Sequence, residues 1–153
     1  MPPAFKRPES VLVAVYTRTG KVLMLKRADH ANFWQSVTGS LEWDGETPAE
    51  TARRELFEET GIEASDLRDW GRTNRYEILP QWRYKYAEGV SHNTEHVFSL
   101  ELAEEVPVRI DPAAHVEYVW LDFAEAAACA TSWTNRDVIR WIQQDFDARS
   151  ARE

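Results

Sequence analysis

Gly39, Glu46 and then Arg54-Glu55-Leu56-Phe57-Glu58-Glu59-Thr60-Gly61-Ile62 form the stretch on which the reading of this 153-residue chain turns. If residues 48 to 60 are helical, Glu55, Glu58 and Glu59 stand at i, i+3 and i+4 and crowd three carboxylates into one turn. Like charges that close repel by a few tenths of a kcal/mol per pair. A hard divalent cation turns the repulsion into attraction, because it takes oxygen ligands and is held by one or two carboxylates together with substrate phosphates. The helix is well signalled. Thr47-Pro48-Ala49-Glu50 supplies an N-cap hydroxyl, a proline at the first helical position and the glutamate of a capping box, and Gly61 is a C-terminal stop. Ala49, Ala52, Leu56 and Thr60 recur at helical spacing beside the acidic stripe, which predicts docking on a sheet with the carboxylates left accessible. Arg54, one turn before Glu58, is placed to hold it by a charge-assisted hydrogen bond.

The pattern of a Gly, a Glu and then Arg-Glu-aliphatic-x-Glu-Glu-x-Gly-aliphatic resembles the signature of the Nudix hydrolases. Every defined position from Glu46 to Ile62 is present at the family's spacing. There is one departure: Ser40-Leu41-Glu42-Trp43-Asp44-Gly45 makes the loop between Gly39 and Glu46 one residue longer than usual. Lengthening a flexible loop costs little. The resemblance implies an α/β (α+β) fold, an α/β/α sandwich with a mixed sheet between helices. It also implies attack by metal-activated water on a diphosphate bond, with Mg²⁺ as cofactor and Mn²⁺ as its substitute. On that footing Glu55 and Glu59 are expected as principal metal ligands, Glu58 as a further ligand or water-orienting group, Arg54 as the residue that positions them, and the Gly39 carbonyl as another ligand. Glu46 is expected to brace the loop, with contact to the metal as the alternative. Many members recruit a further Glu from a distant strand just before a Trp; Glu117, ahead of Trp120, fits that description, with an exposed strand residue as the alternative, while the neighbouring position before His115 is Ala114.

Composition fits one domain spanning 1–153, with an ordered core over about 5–146 and a frayed polar tail over 147–153. A formal net charge of −8 with no offsetting basic stripe argues against a nucleic-acid partner. The single cysteine, Cys129, lies in an alanine-rich stretch and reads as a buried small hydrophobe. Nothing resembles a signal peptide and no apolar run reaches membrane-spanning length, so a cytoplasmic setting is the default expectation. The oligomeric state is left open, with a monomer as the working expectation.

Outward from the helix, Val11–Tyr16 and Lys21–Arg27 read as a hairpin joined by Thr17-Arg18-Thr19-Gly20. Phe33–Val37 reads as a short strand leading into Gly39, and Trp70–Leu79, Thr94–Leu102 and Val116–Leu121 as further strands. Phe123–Ala130 and Trp133–Phe146 read as helices. His92 and His96 are four apart, but the alternation of residues 94 to 100 is that of a strand and no third soft ligand accompanies them. The run Trp82-Arg83-Tyr84-Lys85-Tyr86 reads as a substrate-facing loop or a partly exposed hairpin.

Outside the signature, Lys6-Arg7-Pro8, Val22 to Arg27, Phe33 to Ser40, Asn93-Thr94-Glu95-His96 and Ser132 to Arg136 resemble the branch of the family that acts on dihydroneopterin triphosphate. That likeness runs from about Lys6 to about Ile142 and implies release of pyrophosphate to leave the monophosphate, a step toward folate. A nucleotide-directed member and a non-catalytic nucleotide sensor are the alternatives, the sensor being disfavoured by the intact Glu55, Glu58 and Glu59. Lys6 and Arg27 suit the triphosphate tail or are exposed strand-end charges. Thr38 offers a ligand contact or is a turn residue. Ser132 and Asn135 reach a substrate or form a helix cap. Trp34 and Trp133 stack on a flat heterocycle or belong to the core.

Overall fold

The computed structural model describes residues 5–152. Strand β1 (Glu9–Thr17) is buried on both faces: Val11, Val13 and Val15 pack into one hydrophobic cluster, and Leu12, Ala14 and Tyr16 into the other. A continuous apolar run is what a strand covered on both sides requires. β2 (Lys21–Arg27) returns antiparallel through a turn closed by Gly20, at φ 86, yet it faces β1 in register only at Tyr16 and Val22. Beyond that point the two strands take other neighbours.

The segment expected as one short strand is two: β3 (Trp34–Gln35) pairs with β2 and β4 (Val37–Ser40) pairs with β1. The break falls at Ser36, whose backbone N–H donates to Asn135 Oδ1 at 2.7 Å and whose hydroxyl accepts from Asn135 Nδ2 at 3.0 Å. β5 (Arg68–Glu77) lies antiparallel to β6 (His92–Leu102), with a register shift between Asp69 and Thr73 where Gly71 takes φ 63. β6 runs parallel to β1, and β7 (His115–Asp122) antiparallel to β2. A seven-stranded mixed sheet results.

Helix α1 (Pro48–Thr60) covers one face. Its capping box is complete: Glu50 N–H donates to Thr47 Oγ1 at 3.2 Å, and Thr47 N–H to Glu50 Oε1 at 3.0 Å. Gly61, at φ 76, ends it by donating to the Phe57 carbonyl at 2.8 Å. Its buried side is Thr51, Ala52, Leu56, Glu59 and Thr60. Ala49 is exposed, so the docking stripe is rotated from the expected one and takes Glu59 down with it. The other face is covered by α2 (Phe123–Cys129), capped by Asp122, and by α3 (Trp133–Ser150). α3 continues past the expected end at Phe146. The supposed frayed tail is helical to Ser150, because Arg149 donates to Asp145 at 3.0 Å, to the Tyr16 hydroxyl at 3.0 Å and to Glu101 at 2.8 Å; Glu153 lies outside the described residues. Cys129, expected to be buried, is partly exposed at the last turn of α2. Among the described residues no helix is long and apolar enough to cross a membrane.

Candidate active site

The acidic stripe of α1 is organised around Arg54. Its Nε donates to Glu46 Oε2 at 2.7 Å and one terminal nitrogen to Glu46 Oε1 at 2.8 Å. The other terminal nitrogen reaches Glu55 at 2.8 Å and Glu58 at 3.3 Å. A bidentate fork of this kind fixes geometry as well as charge. Glu46 also accepts from the Thr51 hydroxyl at 2.6 Å and the Glu42 backbone at 3.0 Å. Arg54 above all, then Thr51 and the Glu42 N–H, pull its carboxyl down to about 2. Both of its oxygens are held by the protein, so Glu46 braces the lengthened loop.

Glu55 and Glu59 turn the other way, into an open cavity of about 510 Å³ that they share with Gly39, Thr38, Gln35 and His115. Burial raises the Glu55 carboxyl above its ordinary range, and burial followed by the neighbouring Glu55 raises Glu59 well above it. Glu59 is only 6% exposed, and its Oε1 has no hydrogen-bond partner. Glu55 lies so close over Gly39 that a Cβ there would overlap its carboxylate carbon. Glycine at position 39 therefore leaves the room that the Glu55 carboxylate occupies. Two adjacent carboxylates, one partly buried and one buried with an orphaned oxygen, are a hard-oxygen donor set that fits a divalent cation. Among the described residues no group of three or more acidic, His or Cys side chains forms a finished cage. Such a set suits a metal that keeps its waters and shares substrate phosphates. Glu58 stands at the rim, its side chain 52% exposed, and does not line the cavity.

His115 Nδ1 lies 3.8 Å from Glu59 Oε1, beyond hydrogen-bonding range. Burial first, then Arg27, lowers the imidazole to about 4, so the ring is neutral at pH 7. Gln35 Oε1 accepts from Arg27, and its Nε2 lies 3.1 Å from His115 Nε2. This places the His115 proton on Nδ1, facing Glu59. Glu117 does not join this group. It opposes Lys26 across β2 and β7 and so shares its face. Leu23 and Leu25 point toward α1 and Met24 toward α3, so Lys26 and Glu117 project on the α3 side. The register shift at Lys26/Arg27 brings His115 to the α1 side instead.

A second cavity, of about 350 Å³, opens on the α3 side of the sheet. Lys6, Arg27, Gln35, Thr38, Gly39, Ser40 and Lys85 line both cavities, so the two meet at a neck carrying three cations. Lys6 N–H donates to the Lys85 carbonyl at 2.8 Å, which brings the two lysines together. Desolvation, then Lys85 and Arg27, lower the Lys6 ammonium below its ordinary value. Arg27 is gripped by Asp29 at 2.6 and 2.7 Å, and its guanidinium lies 4.3 Å from the Trp82 ring centre. Phe33, Trp82, Tyr76, Tyr86 and Trp133 supply the aromatic walls beyond the neck, while Ser10, Asn93 and Glu95 contribute polar groups.

Thus Lys6, Arg27 and Thr38 meet at the neck, as does the Gly39 backbone. Trp34 lines neither cavity; it packs against the α3-side cluster beneath Lys26. Its neighbour Phe33 takes the cavity position. Ser132 caps α3 by accepting from Asn135 N–H at 3.1 Å, and Asn135 uses both side-chain atoms on Ser36. Both border the cavity as builders of its wall. The aromatic-basic run forms a 3-10 helix, Pro80–Lys85, that carries Trp82 and Lys85 inward. Sequence reasoning did not assign Phe33, Gln35, Glu95 or His115 to the site. Of these, only Glu95 carried a signal, a lone acid in an otherwise uncharged alternating strand segment.

The chain matches the NUDIX domain over residues 6–142. It is 46% identical over 140 residues to the dihydroneopterin triphosphate diphosphatase of Escherichia coli K12, covering 88% of this chain and 91% of the relative. It is 41% identical over 142 residues to the protein of the same name from Haemophilus influenzae, covering 89% and 87%. A solved structure of the E. coli dihydroneopterin triphosphate pyrophosphohydrolase superposes with a TM-score of 0.85 at 44% identity, over 91% of this chain and 97% of that one.

Proposed function

This chain belongs to the Nudix family, and from that premise we propose that it hydrolyses dihydroneopterin triphosphate to dihydroneopterin monophosphate and pyrophosphate with the help of Mg²⁺. The observation that carries the reading is the order of chemistry along one cleft: buried carboxylates, then a cationic neck, then an aromatic chamber. A triphosphate joined to a flat heterocycle has the matching order of groups. The similarity to two diphosphatases of that name supports the same substrate.

Glu55 and Glu59 are the residues that would hold the metal, with the Gly39 carbonyl beside them. A bound divalent ion supplies charge neutralisation on phosphoryl oxygens and an activated water. The chain's own side chains do the rest. Lys6, Arg27 and Lys85 bind and align the phosphates. Arg54 holds Glu55 on one side while Gly39 leaves it room on the other, so its carboxylate stays aimed into the cleft. His115, kept neutral, closes the far side against solvent and presents an N–H toward Glu59. Phe33 and Trp82, with ring centres 5.3 Å apart, wall the heterocycle in.

The test is a competition assay. With Mg²⁺ present and equimolar dihydroneopterin triphosphate, dATP, 8-oxo-dGTP and a dinucleoside polyphosphate, the pterin should be consumed first with stoichiometric pyrophosphate. EDTA should stop the reaction and Mn²⁺ restore it. Preferential consumption of a nucleotide would overturn the substrate while keeping the metal-dependent chemistry.

A further inference from the structure

We propose that Glu95 selects the heterocycle, accepting from two adjacent N–H donors on its edge as in a 2-amino-4-oxopyrimidine ring, the edge that pterins and guanines share. The proposal rests on the reading of the aromatic chamber as the heterocycle site. Glu95 sits on β6 in the wall of that chamber and is 4% exposed. Its Oε1 has no hydrogen-bond partner. A carboxylate kept inside a fold only for structure is normally satisfied, since an unpaired buried acceptor is destabilising.

The surroundings narrow what Glu95 can meet. Asn93, two residues away on the same face of β6, donates its amide to Ser10 at 2.7 Å and Tyr76 at 3.1 Å. Its own Oδ1 is left without a partner. The chamber wall therefore holds two unsatisfied acceptors, Glu95 Oε1 and Asn93 Oδ1. Of the two side chains only the carboxylate offers a pair of acceptor oxygens to a flat edge that carries an exocyclic amine beside a ring N–H. Adenine places a ring acceptor beside its amine, and a hypoxanthine edge lacks the amine. Burial pushes the Glu95 carboxyl up to about 7, with Thr134 and Asn74 pulling partly the other way. Donors from a ligand favour its ionised, doubly accepting form.

The experiment uses dGTP and dITP, which differ only in the exocyclic amine, alongside dihydroneopterin triphosphate. With Mg²⁺, the wild-type chain should show kcat/KM roughly tenfold or more higher for dGTP than for dITP, the size of a hydrogen bond to a charged acceptor. Glu95→Gln should bring that ratio close to one, chiefly through a raised KM for dGTP, with a smaller rise for dITP, which keeps the ring N–H. If Glu95→Gln melts too low to assay, Glu95→Asp, which keeps the charge but withdraws the carboxylate, should lose the same selectivity. Equal turnover of the pair, no turnover of dGTP, or an unchanged ratio in the variants overturns the assignment. Failure of the wild type to consume dihydroneopterin triphosphate, with the dGTP preference present and lost in the variant, overturns the proposed substrate instead.

Discussion

Glu59 and Glu95 are buried on opposite sides of the sheet, one under α1 and one under α3, and each has an oxygen without a partner. Their neighbours separate them. Glu59 shares its cavity with Glu55, so its second source of strain after burial is another carboxylate. Glu95 stands among amides, hydroxyls and aromatic rings, with Thr134 and Asn74 easing the burial. Burial alone raises both carboxyls. What surrounds the orphaned oxygen decides whether it suits a cation or an N–H edge.

The largest effect should come from Glu59→Gln. Loss of a carboxylate proposed to hold the metal should exceed the roughly 10–100-fold typical of the partners that orient such ligands. The metal-free variant should melt higher than wild type, because the buried charge beside Glu55 is gone. A folded Glu59→Gln protein with most of its Mg²⁺-dependent turnover would end the distinction between the two glutamates.

Gly39→Ala tests the same side by steric means. The added methyl must displace the Glu55 carboxylate, with an expected loss of roughly 10–100-fold in turnover and a small change in stability, because what moves is the end of a flexible side chain beside an open cavity. Wild-type kinetics in that variant would mean that the position of Glu55 is unimportant.

On the other side, pH sharpens the contrast. A buried acid raised from 4.5 to about 7 keeps a proton in the folded chain that the unfolded chain has lost. Stability from this group therefore falls as pH rises from about 4.5 through 7 and levels off above. Measured by denaturant unfolding, Glu95→Gln should gain on wild type across that window by up to about 3 kcal/mol. His115 has the opposite sign: its folded value near 4 gives stability above 6.5 that is lost as pH falls through 4. It is present in both chains and cancels in the difference. A flat difference from pH 5 to 8 would show that Glu95 is not held in the protonated state. The smallest effect is expected at Glu117→Gln, within about twofold of wild type, as for an exposed substitution away from the cleft; a large loss would return Glu117 to the site.

The sequence was most readable where the signals are local. Thr47, Pro48, Glu50 and Gly61 delimit α1 through contacts within a few residues, and the observed caps use those atoms. The Arg54 network lies within the same helix and the loop before it. The chamber was hard to read because Phe33, Trp82, Glu95 and Trp133 meet only after the sheet forms. Glu117 stayed open between ligand and exposed strand residue because the face of a strand residue depends on register, and the shift at Lys26/Arg27 changes parity between His115 and Glu117. Trp34 stayed open between stacking and core for a similar reason: alternation gives two faces, and packing puts Phe33 rather than Trp34 on the cavity side.

The link between Ser36 and Asn135 carries one more consequence, in time. Its partners are 99 residues apart, so the β3–β4 break that borders both cavities cannot be set until α3 has docked. During synthesis, Glu55 and Glu59 can reach their helix early, but the neck facing them closes only when nearly all of the chain is available. Loop closure over that distance is slow compared with helix formation. The cleft should therefore be among the last features to mature, and truncation within α3 should silence the acidic end without touching any of its residues.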